Sequence, residues 1–103
     1  MTTDLIDRKR DAVAKLCRRV GARRLDVFGS AVRDDFDPET SDLDFVVEFD
    51  DLPPAAYAQA YFQLMEGLEA LFGRPVDLVT DSGLVNPYLR ARVAAERRRV
   101  YAR

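Results

Sequence analysis

The chain has 103 residues, of which 48% are hydrophobic and 33% charged, and a net charge of −2, which bounds it to one globular domain spanning residues 1–103. It has no histidine and one cysteine, Cys17, which excludes Ser-His-Asp hydrolysis, histidine-ligated zinc, imidazole acid–base chemistry and an internal disulfide. No apolar run approaches the roughly 18 residues that cross a bilayer and no signal-peptide core opens the chain, so a cytoplasmic protein without a membrane partner is expected.

Residues 4–20 place Leu5, Val13, Leu16, Cys17 and Val20 on one face and basic side chains on the other. The spacing predicts one amphipathic helix, capped near Thr3 and stopped at Gly21, with Cys17 in the core. "RLDVFG" reads as a short strand ending at Gly29, "SAVR" as a helical turn and "DDFDPETS" as a loop. Within that loop Phe36 is a candidate for partner contact. "DLDFVVEF" alternates strongly: Leu43, Phe45, Val47 and Phe49 share one face, and Asp42, Asp44, Val46 and Glu48 the other. Pro53 and Pro54 open a helix that runs to Gly73, with Tyr57, Tyr61, Phe62 and Phe72 expected in its core or an interface. "PVDLVT" is a third strand, and Asn86 before Pro87 starts a helix through "PYLRARVAAERRR" whose arginines suit its C-terminus. The order helix, strand, strand, helix, strand, helix implies an α+β fold, a small mixed sheet flanked by helices.

Charge is segregated along this order. Residues 1–33 carry nine Lys/Arg and four Asp/Glu; residues 34–73 carry eleven Asp/Glu and no base; residues 74–103 carry seven Lys/Arg and three Asp/Glu. The central acidic block suits capture of a cation better than binding of a polyanion, so direct nucleic-acid binding is not expected.

Asp42 and Asp44, at i and i+2 on a strand, point to the same side, and a divalent cation relieves their repulsion most directly. Oxygen ligands alone favour Mg²⁺ or Mn²⁺. Asp77, inside an apolar strand, is expected to be buried and to complete a site of three carboxylates. Gly29 and Ser30 end the preceding strand in a turn that lets backbone amides and the Ser30 hydroxyl approach a phosphate.

Taken together, "GS…SDLDFVVEF…GRPVDLVT…NPYLRARV…VY" resembles the minimal nucleotidyltransferases of the DNA polymerase β superfamily, and among them the MNT-domain antitoxins paired with HEPN-domain toxins. The resemblance implies the polymerase β-like nucleotidyltransferase fold. It implies that Gly29 and Ser30 bind a nucleotide triphosphate with Arg33 and Ser41 beside them, and that Asp42, Asp44 and Asp77 hold two Mg²⁺ ions. It further implies a type VII-like antitoxin that transfers AMP from ATP to a tyrosine hydroxyl of the HEPN toxin, with Asp77 assisting deprotonation. A hetero-oligomer with that toxin, or a homodimer alone, would follow. Where members have Arg-Gly after the Gly-Ser-x triplet this chain reads Val32-Arg33-Asp34, so weakened nucleotide affinity at Asp34 is an expectation. Two alternatives stand beside the leading reading: neutralisation of the toxin by binding alone, and nucleotide transfer to RNA or to a small molecule such as an aminoglycoside.

Overall fold

The computed structural model describes residues 3–33, 37 and 41–103; Asp34 and Phe36 lie outside the described residues. The amino-terminal helix is two helices, Thr3–Arg8 (α1) and Arg10–Val20 (α2), rather than one. Lys9 leaves helical geometry at φ −108°, ψ 5°. Beside this joint Arg10 reaches the Asp7 carboxylate at 2.7 Å and the Val100 carbonyl at 2.8 Å, which ties it to the distant end of the chain. α2 buries Val13, Leu16, Cys17 and Val20 and ends at Gly21, whose left-handed backbone (φ 82°) turns its N–H onto the Cys17 carbonyl. Burial, partly offset by Arg18, pushes the Cys17 thiol up to about 12, as suits a small core side chain.

Ala22–Phe28 (β1) and Leu43–Phe49 (β2) pair antiparallel, and Pro54–Phe72 (α3) carries the chain over to Val76–Thr80 (β3), which pairs parallel with β2. Pro87–Glu96 (α4) starts at Asn86, whose side-chain carbonyl accepts from the Tyr88 and Leu89 amides at 2.9 and 3.3 Å. The helix stops at Glu96, and Arg98–Ala102 (β4) forms an edge strand antiparallel to β1. The arginines read as a helix end are therefore largely strand: Arg98 and Arg99 face solvent while Val100 and Tyr101 are buried, an arrangement an edge tolerates. The mixed sheet runs β3-β2-β1-β4, and the architecture is the expected α+β.

One face of the sheet carries the main core. Leu25, Val27, Leu43, Phe45, Val47 and Leu78 pack with Val13, Leu16, Leu64, Leu68 and Phe72 from α2 and α3. Tyr57 and Tyr61 join its margin, and the Tyr61 hydroxyl donates to the Leu78 carbonyl at 2.6 Å. Phe62 does not: it is 54% exposed, because it faces away on α3. On the other face α4 lays Val93 and Leu89 over Phe28, Val46 and Leu84, a smaller cluster. No described helix is long and apolar enough to cross a membrane.

Asp26, in the middle of β1, is fully buried. Arg24 holds it from one side (2.9 Å) and Arg97 from the other (2.5 Å), and Arg97 also reaches Asp81 at 3.2 Å. The costly buried anion expected at Asp77 is here at Asp26. Asp77 is instead exposed, because β3 is the edge of the sheet and α4 does not cover its outer face there.

Candidate active site

The second face of the sheet leaves one end open, and strand register fills it with carboxylates. Asp44 is the cross-strand partner of Phe28, the last residue of β1, and on its other side of Asp77 in the parallel β2–β3 ladder. Asp42, exposed, precedes them by one pleat. Burial raises the Asp44 carboxyl above its ordinary value, and the Asp77 charge raises it further. Arg92 pulls it back, Asp42 raises it, and Arg33 lowers it. Three mutually repelling carboxylates, with net pressure on the most enclosed one to shed its charge, form an electrostatic setting that a hard cation would relieve. Among the described residues no three acidic, histidine or cysteine side chains already converge as a ligand set. The chemistry of the donors fits a cation; a closed cage is absent from the described residues.

β1 runs directly into a single turn of 3₁₀ helix, Gly29–Val32. Gly29 has φ +77°, and a Cβ there would lie 2.1 Å from Asp44 Oδ2. Glycine is thus required twice, by the left-handed backbone and by the carboxylate pressed against it. Gly29→Ala should lower stability by about 2–4 kcal/mol; a urea unfolding curve that matches the wild type would show that the loop does not need this approach.

Ser30 is half-buried in the same turn, and its carbonyl accepts from the Arg33 amide at 3.1 Å. The Arg33 guanidinium turns back toward the end of α4 and pairs with Glu96 at 2.8 Å. Ser41 sits one residue before Asp42, but its hydroxyl accepts from the Asp37 amide at 2.9 Å and its carbonyl from Arg74 at 3.4 Å. Ser41 therefore holds the entry to β2, a structural duty that its expected place beside the nucleotide did not include. The structure brings Gly29, Ser30, Arg33, Asp44 and Asp77 to one end of the sheet, with Asp42 and Ser41 at its rim.

Glu96 was missed from sequence. Its carboxylate accepts the Gly29 amide at 3.2 Å and lies 3.8 Å from Arg92 as well as against Arg33. Burial would raise this carboxyl; the Arg33 hydrogen bond and charge, the Gly29 amide and Arg92 outweigh it and hold the group below the usual Glu range. A glutamate among arginines at a helix end gives no sequence signal, since the contact exists only once α4 crosses the sheet.

Residues 9–100 match the model of the nucleotidyltransferase domain family. The chain is 43% identical, over 68% of its length and 67% of the relative's, to the protein adenylyltransferase MntA of Thermococcus cleftensis. It is 39% identical to a candidate protein adenylyltransferase of Methanocaldococcus jannaschii, spanning 62% of each chain and so less than two thirds of that relative. Among solved structures, a candidate minimal nucleotidyltransferase superposes with a TM-score of 0.76 at 38% identity, over 95% of both chains. A tri-AMPylated HEPN toxin in complex with its MNT antitoxin, from Shewanella oneidensis, superposes at 0.64 with 21% identity, over 95% of this chain and 73% of that one, which is a likeness of fold. With the family model matched over residues 9–100 and the fold shared along 95% of both chains, the chain belongs to the nucleotidyltransferase domain family, as a minimal nucleotidyltransferase.

Proposed function

We propose that the protein is a Mg²⁺-dependent adenylyltransferase that moves AMP from ATP to a tyrosine hydroxyl of a HEPN-domain toxin, and that it works as the antitoxin of that pair in a hetero-oligomer. The observation that carries this reading is the register pair Asp44–Asp77 set against the Gly29 turn, which places anionic ligands beside backbone that can approach a phosphate. The relatives named protein adenylyltransferases and the toxin–antitoxin fold neighbours support it.

Asp42, Asp44 and Asp77 would hold Mg²⁺, whose chemistry when bound is to acidify the attacking hydroxyl and neutralise charge on the transferring phosphoryl group. The chain's own residues orient the reaction. The Gly29 turn fixes the phosphate end of ATP, with the Ser30 hydroxyl and the Arg33 guanidinium as donors. Exposed Asp77, at the open edge of the sheet, can take the tyrosine proton on its carboxylate as the oxygen attacks the α-phosphorus; pyrophosphate then leaves. The acceptor would approach from solvent at Asp77, which is exposed on the edge strand β3.

Incubation with ATP, Mg²⁺ and a HEPN toxin encoded beside it, followed by intact mass spectrometry, should show the toxin gaining one or more AMP masses. Binding of the two proteins with no mass gain would overturn transfer and leave neutralisation by binding alone.

A further inference from the structure

The nucleotide reading leaves Glu96 unexplained, and its position is unusual. A carboxylate in the last turn of a helix opposes the helix dipole, and Glu96 is the last residue of α4. It is held there by two groups of the phosphate grip, the Gly29 amide at 3.2 Å and Arg33 at 2.8 Å, and by Arg92 at 3.8 Å.

We propose that Glu96 is an internal stand-in for a phosphate group, occupying the Gly29 amide and the Arg33 guanidinium until a polyphosphate displaces it, so that nucleotide binding is an exchange of one anion for another. This rests on the nucleotide reading of the same site. In the protein without nucleotide the Glu96 carboxylate accepts from the Gly29 amide and pairs with Arg33 and Arg92, so that the turn's donor is satisfied. A triphosphate carries more charge and more acceptor oxygens than one carboxylate, so it wins the exchange. Glu96 sits at the helix terminus and is partly exposed, so a side-chain rotation would carry it out of the turn. Glu96 is in this sense a positioning residue: it acts through Gly29 and Arg33 and sets how tightly the chain takes a nucleotide.

Glu96→Gln keeps the shape and one acceptor but removes the charge that competes. Titration calorimetry with Mg²⁺ and either ATP or inorganic tripolyphosphate should give the variant a Kd roughly tenfold lower than the wild type for both. Equal or weaker binding by E96Q, with the wild type binding ATP, overturns the exchange and leaves the nucleotide reading standing. Binding of neither ligand by either protein overturns both. Should E96Q fail to fold, the wild type decides the matter: tripolyphosphate should shift the Glu96 side-chain carboxyl carbon resonance, and an unmoved resonance at saturation overturns the exchange.

Discussion

Asp44→Asn is expected to lower AMP transfer by about a thousandfold and, at the same time, to raise the denaturation midpoint of the free protein. The loss follows from the place of Asp44, between Phe28 and Asp77 in register and in contact range of the Gly29 turn. Its carboxylate lies against the Gly29 turn and in register with Asp77, and so joins both halves of the site. The gain follows from the same position, because its charge is penalised by burial and by Asp77 and Asp42. Folding raises this carboxyl above its ordinary 3.8, so the folded state carries the penalty at pH values above the raised one and sheds it as the pH falls toward 3.8. The stability advantage of the variant should therefore be full at neutral pH and close in acid. A variant that is both inactive and less stable at pH 7 would show that Asp44 holds the fold rather than the chemistry. Such opposition between function and stability is common where a site concentrates like charge.

Asp26→Ala should be the most damaging single change to the fold, costing about 3–5 kcal/mol in a urea titration. The substitution leaves the Arg97 guanidinium beside a buried hole, with Asp81 as its remaining ion-pair partner among the described residues, and removes a partner of Arg24. Arg97 Nη2 already lacks a hydrogen-bond partner among the described residues, so little is in place to absorb the loss. Removing both members, in Asp26→Ala with Arg97→Ala, should cost less than the sum of the two single changes, since neither charge is then left alone. Additive effects in that cycle would mean that the two side chains act independently. The cost is a large share of the total for a domain of this size, where about 5–15 kcal/mol is usual.

The parts of the fold that were legible in the sequence are those fixed by local chemistry. Leu43, Phe45, Val47 and Phe49 alternate because β2 is a central strand with a packed face, and Gly21, Gly73 and Asn86 mark helix ends by their own backbone and side-chain preferences. Gly29, Asp44 and Asp77 could be named because turn and strand periodicity place them without knowledge of distant neighbours. What escaped depends on the sheet's order. β4 was hidden because Arg98 and Arg99 carry helix propensity and an edge strand tolerates their charge. The buried aspartate was assigned to Asp77 instead of Asp26, because burial of an aspartate in a strand depends on whether that strand is central or at the edge, and periodicity does not distinguish the two. Glu96 escaped for a related reason: its partners are Gly29 and Arg33, at the far end of the chain, and only the crossing of α4 brings them together.

The β2–β3 pair is parallel, so its strands cannot be joined by a tight turn and need the whole of α3 between them. Asp44 and Asp77 of the candidate metal site thus meet across the sheet's parallel pairing, which no hairpin can pre-form, and a contact of that sequence separation is expected to form slowly. Half-folded chains with β1 and β2 already paired would hold the Gly29 turn and Asp44 without Asp77. The chemistry would then appear only in chains that have completed their sheet, so that a newly made chain could grip a nucleotide before it could spend one.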